Sequence, residues 1–392
     1  CLRPDWYEVY GSAGRACSAI AAIDDQVCVA LHCYADSRVK EALMARSAME
    51  RTQLHITAIA NTIRFIYVHG LDRPQIENAT SGQPPLVVEA SNVLRFGMLE
   101  GDGVVDGGNV VYDPQTAMSP AVFHANGSQA DRLAVVLNEN EARSMTGLYD
   151  AGINELMVAV REINRANVVV IKRGPLGAVV FDGTARSQVP ALHTQTVWKI
   201  GSGDVFSAHF GLNWAVYGRD PVASAQAASR ATACYCEMGG FPNPGLLQSF
   251  DATPVVPSAQ FLAGRAPKIY LASPFFTLSQ LWLVEQTRMQ LRNFGLDVFS
   301  PYHDVGLGPA DRVVQADLKG LGEADCVFAI ADGLDAGTLV EIGYAIARGA
   351  PVVVYCENES EEDLKMMAGS GCILCIDYVS AIYRALWTAL SL

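Results

Sequence analysis

The chain has 392 residues, half of them hydrophobic and 18% charged, a length for two domains and a composition for a soluble globular α/β protein. Its formal net charge of −13 excludes the basic face that a nucleic-acid backbone requires. No apolar run reaches the length of a membrane span, so neither nucleic acid nor membrane is an expected partner.

No signal peptide is legible, and the chain opens at Cys1 rather than Met, which points to a trimmed or processed N-terminus. Cysteines such as Cys17, Cys33, Cys234, Cys326 and Cys356 lie in apolar runs, the usage of reduced cytosolic proteins, so a cytoplasmic location is expected. Cys372 and Cys375 form a lone CxxC in a strand-like run, with no second pair to complete a site. The seven histidines show no ligand spacing, and no zinc is expected.

In chain order, Gly11-Ser-Ala-Gly14 reads as a glycine turn opening a buried helix over the apolar residues that follow. Strand-like runs come next at Leu86–Ala90, Val104–Tyr112, Leu133–Leu137, Val168–Ile171 and Ala178–Phe181. Helical periodicity falls between them at Glu141–Met145 and Asn154–Asn164, and such alternation predicts an α/β fold with a largely parallel sheet. Three signals follow in order: Asn138-Glu-Asn-Glu141 after a strand, Lys172–Ala178 joining two strands, and Lys199–Ala208 opening a helix that runs to Trp214. A glycine turn at a helix start presents unpaired amides to an anion. Asp204, held in that turn, can accept the proton of a substrate hydroxyl during phosphoryl transfer.

In this order the motifs resemble the ribokinase-like family of carbohydrate and nucleoside kinases, over roughly residues 10–250. The resemblance implies an anion hole at Gly201, Ser202 and Gly203 with Asp204 as base, and a magnesium- and phosphate-linked motif at Asn138 and Glu141. It implies ATP and Mg as cofactors of this half. Arg15 stands where the family's glycine motif ends in Asn, and Trp198 where an acid precedes the turn. No first strand with a sugar-binding Asp is legible, so domain 1–250 reads as incomplete or divergent at its N-terminus. An active kinase of altered substrate, a domain that binds a nucleoside or nucleotide without turnover, and a structural remnant all remain open.

Prolines at 242, 244, 254, 257 and 267 disfavour helix, and an extended connection is expected over 251–267. Domain 268–392 then reads as a small doubly wound sheet of Rossmann or flavodoxin type. Its strands are 268–272, Val298–Pro301, 326–331 and 351–356. Its helices are 278–294, with an apolar face at Leu281, Val284, Thr287, Met289 and Leu291, then 311–322 and 339–348, the last with Thr338 as N-cap. His303–Pro309 reads as a glycine-rich loop.

Tyr270, Asp317, Asp335 and Glu341 all fall at strand ends or on helices beside the sheet's carboxyl edge, an acid/base and nucleophile set. Ile269-Tyr-Leu-Ala-Ser-Pro274, Ala316-Asp-Leu318 and Asp335-Ala-Gly-Thr-Leu-Val-Glu-Ile-Gly-Tyr-Ala345 resemble the nucleoside 2-deoxyribosyltransferase family in order and spacing. The resemblance implies Glu341 as a nucleophile that captures the sugar's anomeric carbon as an ester, Tyr270 orienting it, and Asp317 protonating or orienting the leaving base. It places Asp335 at the sugar hydroxyls, and Ser273, Pro274, Phe275, Phe276, Gly337 and Thr338 around the substrate. An acid at 335 would repel a 5′-phosphate, which favours nucleosides over nucleotides. Nucleosides and nucleobases are the implied ligands, with no metal or cofactor for this half and a homo-oligomeric assembly. Transfer to a second base and hydrolysis by water stay open, as does a scaffold with both sites silent.

Overall fold

The computed structural model describes residues 6–116 and 118–392, and Cys1, at which the chain opens, lies outside them. It divides into two compact units, residues 1–194 with 198–254 and residues 195–197 with 255–392. Among the described residues no helix is long and apolar enough to cross a membrane.

The first unit runs α1 (Gly11–Ile23), β1 (Ala30–Ala35), α2 (Ser37–Glu50), β2 (Gln53–Ala58), β3 (Arg64–Ile66), β4 (Gln75–Glu77), β5 (Leu86–Phe96) and β6 (Gly103–Asp113). It continues with β7 (Gln129–Asn138), α3 (Glu139–Thr146), α4 (Ile153–Asn164), β8 (Val168–Lys172), β9 (Ala178–Phe181) and β10 (Arg186–Val189). Helices α5 (Ser202–Gly211), α6 (Pro221–Met238) and α7 (Pro244–Ser249) follow. A six-stranded sheet has the order β10-β9-β8-β7-β6-β5, parallel from β5 to β8 and antiparallel from β8 to β10. Valine-rich β7 and β8 are buried on both faces, as interior parallel strands are. Leu133, Val135 and Leu137 point to a core shared with Leu156, Met157 and Val160 of α4. Ala134 and Val136 point the other way, to Phe206, Phe210 and Trp214.

Strand β5 runs six residues beyond the Leu86–Ala90 read from sequence. It is the sheet's edge, so polar residues such as Glu89 and Asn92 are accommodated without burial.

The second unit runs α8 (Ala259–Leu262), β11 (Lys268–Ala272), α9 (Leu278–Asn293), β12 (Asp297–Phe299), α10 (Pro301–Asp304), α11 (Ala310–Glu323), β13 (Cys326–Ile330) and α12 (Ala336–Ala347). It ends with β14 (Val352–Tyr355), α13 (Glu361–Gly369), β15 (Ile373–Cys375) and α14 (Tyr378–Leu390). All five strands are parallel in the order β12-β11-β13-β14-β15. The chain leaves β11 in one direction to β12 and returns on its other side to β13. Strand order therefore reverses between β11 and β13, the switch point at whose carboxyl strand ends open α/β sheets form their ligand crevice.

Four local expectations need correction. Residues 251–267 are not extended throughout: Ser258 caps the short α8, and Val255 is buried. The inward face of α9 uses Gln290 rather than Met289, because 284, 287, 290/291 follow the helical repeat and 289 does not. His303 and Asp304 close the single turn α10 instead of starting a loop. The N-cap of α12 is Asp335, with Thr338 three residues inside the helix.

Candidate functional site

In the second unit, Tyr270 stands on β11 with its side chain fully buried. Its ring stacks on Phe299 of β12, centroids 5.4 Å apart at 18°. Phe299 in turn lies over Gly320 of α11, where an added Cβ would be 2.5 Å from the ring. So held, Tyr270 Oη donates to Glu341 Oε1 at 2.5 Å.

Glu341 lies about one and a half turns into α12, and the turn before that helix is unusual. Gly333 has φ +84° and Leu334 φ +47°, the left-handed region that a β-carbon disfavours. The strain is held by neighbours: Gly333 N donates to Glu359 Oε1 at 2.8 Å. Asp332 Oδ1 accepts from the amides of Glu357 and Asn358 at 3.0 and 2.8 Å. Asp335 Oδ2 then caps the helix, accepting from Thr338 N at 2.9 Å and Thr338 Oγ1 at 3.1 Å. The aspartate side chain, one residue before the helix, reaches the third amide, which Thr338 at that very position cannot do. A side chain at Gly337 would come within 3.1 Å of Asp335 Oδ2.

Two carboxyls of this crevice, Glu341 and Asp317, are raised above their ordinary values. Glu341 is raised to about 7: burial is the largest cause, the hydrogen bond from Tyr270 opposes it, and the charges of Asp317 and Asp335 add to it. Burial alone raises Asp317, whose Oδ1 is enclosed without a hydrogen-bond partner. Burial, followed by the Glu341 carboxylate, holds the Tyr270 phenol far above its ordinary value. One phenol locked as a donor and carboxyls biased toward the protonated form allow proton donation and nucleophilic attack from a single crevice.

Ser273 and Pro274 are buried at the end of β11, Phe275 is half-buried and Phe276 is 72% exposed. Phe275 lies 5.2 Å from Phe276 and 5.4 Å from Tyr302, which meets the His303 ring edge-on at 5.0 Å. His303 is anchored by Glu285 Oε1 at 2.9 Å and Ser300 Oγ at 3.0 Å. Sequence reading missed Phe299, Tyr302, Gly320 and Asp332. Only Asp332-Gly333, a turn pair, carried a local signal.

In the first unit, Gly201 (φ +82°) opens α5, and Ser202, Gly203 and Asp204 form its first turn. Lys199 Nζ donates to Ser202 Oγ at 3.2 Å, and burial lowers the Lys199 ammonium. Asp204 is ion-paired with Arg15 at 2.6 Å. Asn138 and Glu141 face each other in a capping box: Asn138 Oδ1 accepts from Glu141 N at 2.9 Å, and Asn138 N donates to Glu141 Oε2 at 2.7 Å. Burial, then the charge of Asp113, lifts Glu141 to about 7. Asp113 at the end of β6 is fully buried; its Oδ2 binds Lys172 Nζ at 2.5 Å and Ser207 Oγ at 2.6 Å. Its Oδ1 has no partner. Asp113, Gln115, Lys172 and Ser207 were missed as members of this cluster, although an acid followed by Pro114 at a strand end is a legible stop. An orphaned carboxylate oxygen beside a second carboxyl suits a hard divalent cation such as Mg²⁺, whereas Asn138 Oδ1 is committed to its cap. Among the described residues no group of three or more His, Cys, Asp or Glu has metal-holding geometry.

Known proteins match the two units separately. Residues 269–371 match the family model described as nucleoside 2-deoxyribosyltransferase. Residues 109–244 match that of the pfkB family carbohydrate kinases. An uncharacterized protein of Ureaplasma parvum serovar 3, UU063, is 32% identical over 94 residues, 20% of this chain and 60% of that protein. The chain thus spans less than two thirds of this curated relative. Among solved structures, the 2-deoxyribosyltransferase of Bacillus psychrosaccharolyticus is 32% identical over 27% of this chain and 82% of its own, with TM-score 0.23. The fructokinase of Vibrio cholerae O395, solved with fructose, ADP and calcium, is 15% identical over 64% of this chain and 94% of its own, with TM-score 0.48. The chain therefore joins a domain of pfkB carbohydrate-kinase type to one of nucleoside 2-deoxyribosyltransferase type.

Proposed function

We propose that the second unit exchanges the base of 2′-deoxynucleosides through a covalent glycosyl ester on Glu341. The observation that carries the reading is the 2.5 Å bond from Tyr270 to Glu341 beside Asp317 and Asp335. Tyr270 takes one oxygen of Glu341 and leaves the other to attack the anomeric carbon as the N-glycosidic bond breaks. Protonated Asp317 gives its proton to the departing base. A second base then attacks the ester, regenerates the Glu341 carboxylate and returns a proton to the Asp317 carboxylate. Asp335, with Oδ2 committed to the helix cap, meets the sugar hydroxyls through Oδ1. Phe275 and Phe276 stack on the base.

Incubation with deoxyinosine, with and without adenine, tests the reading. New deoxyadenosine supports transfer, and hypoxanthine released regardless of acceptor indicates hydrolysis instead. No change in either, or unaltered turnover in E341A, overturns both. The reading includes a homo-oligomer. Helix α12 carries Leu339, Val340 and Tyr344 exposed on its outer face, an apolar surface that a second copy would cover. Sedimentation of the whole chain as a monomer would remove that part.

The first unit, in this reading, binds a sugar, nucleoside or nucleotide. Asp113 and Glu141 would hold Mg²⁺ with ATP, and the ion would neutralise phosphate charge there.

A further inference from the structure

Arg15 lies inside the first unit rather than at its surface. It is 9% exposed, and its guanidinium sits 5.3 Å from the Tyr10 ring. Its Nη1 donates to Asp204 Oδ2 at 2.6 Å. A Cβ on Gly201 would be 2.2 Å from Arg15 Nε and 2.3 Å from Cδ, so the arginine stem lies flat on the turn that opens α5. The other oxygen of Asp204 is also taken. Gln115 Nε2 donates to Oδ1 at 2.5 Å, and Gln115 Oε1 is itself held by Ser12 Oγ.

Transfer of a phosphoryl group to an alcohol requires one carboxylate oxygen free to face the acceptor hydroxyl. The γ-phosphoryl leaves ADP and bonds to the hydroxyl oxygen, whose proton passes to the base. Both oxygens of Asp204 face N–H donors instead, and a guanidinium offers no acceptor to an incoming hydroxyl. A charge-assisted bond is roughly twice as strong as a neutral one, so a sugar hydroxyl is a poor competitor for Asp204. The acceptor would also have to enter the volume that the Arg15 side chain fills.

We infer that Arg15 occupies the acceptor subsite of the first unit and closes Asp204 to neutral sugars and nucleosides. The inference rests on the reading of that unit as a nucleotide-binding domain of kinase type. It makes Arg15 the residue that decides specificity there, and it gives Gly201 a second reason to lack a side chain besides its positive φ.

The test uses the full chain with Mg·ATP and a panel of ribose, fructose, adenosine and deoxyinosine, following ADP release and phosphorylated product. The wild-type chain should phosphorylate none of them. R15N and R15Q, which remove the guanidinium, should raise ADP release at least tenfold with one acceptor, and the added D204N change should abolish the gain. Circular dichroism and base exchange by the same preparations report that the variants are folded. Wild-type phosphorylation of any panel member overturns the inference. So do folded R15N and R15Q proteins that bind ATP by calorimetry yet release no more ADP than wild type. Absence of ATP binding in every variant overturns the nucleotide-binding reading, and this inference with it.

Discussion

The two units differ in how they hold the acid at the centre of each candidate site, Glu341 in the second and Asp204 in the first. In the second, Glu341 receives one hydrogen bond from a phenol, and Asp317 keeps a buried oxygen without a partner. In the first, Asp204 has a donor on each oxygen, and Asp113 carries a lysine and a serine on one of its two. An enclosed carboxylate without full satisfaction costs folding free energy, and that cost holds it ready to bind a ligand or move a proton. A carboxylate saturated by the protein's own donors is cheaper to fold and closed to substrate. Asp317 in the second unit and Asp113 in the first thus each keep an oxygen without a partner, whereas Asp204 keeps none.

Substitutions in the second unit probe the open side of this contrast. Removing the proposed nucleophile has the largest expected effect: E341A should lower base exchange by about 10⁴-fold or more while leaving the far-ultraviolet spectrum intact. D317N should cost on the order of 10²–10⁴, the range for a general acid, with a larger loss for leaving bases that need protonation most. Y270F deletes a hydrogen bond to a charged group, worth roughly 1.5–3 kcal/mol, and should slow turnover about 10- to 100-fold. That bond also lowers the Glu341 value, so the rising limb of the pH–rate profile, near 7 in wild type, should move to higher pH in Y270F. An unmoved limb would break the assignment.

The smallest effect concerns stability. Glu341 titrates at about 7 when folded against 4.5 for the ordinary side chain. The stabilising, protonated form is fully populated below about 4.5, and its contribution is lost as pH rises through about 7. At 1.36 kcal/mol per unit, the wild type gives up roughly 3 kcal/mol over that window. E341Q does not titrate and should therefore unfold at a higher temperature than wild type at pH 8, the gap closing at pH 5. Scanning calorimetry at both values measures it, and equal midpoints at pH 8 would remove the claim that this site is strained.

Much of the architecture was legible because burial writes itself into period and composition. The valine runs of β7, β8 and β14 announced interior parallel strands, and α9 ends just before Gly295, a glycine with φ +84°. The elements that carry Tyr270, Asp317 and Glu341, namely β11, α11 and α12, could be read because each has an interpretable period. What escaped was set by contacts far apart in sequence. Arg15 and Asp204 are 189 positions apart, and Lys172 and Asp113 are 59. Neither pairing has a period. The cap at Asp335 was misplaced by three residues because Thr and Asp both cap well, and only the strained Gly333–Leu334 turn decides between them. Strands β1 and β2 carry His32, His55 and Gln53 among short apolar stretches, too mixed to stand out.

Gly320 never reaches the crevice, yet its missing side chain makes room for the Phe299 ring that supports Tyr270. The setting of the Tyr270–Glu341 pair is consequently fixed partly from behind it. A survey of substitutions confined to the crevice would overlook a place where one added methyl group meets the Phe299 ring and, through the stack, the Tyr270 phenol bonded to Glu341.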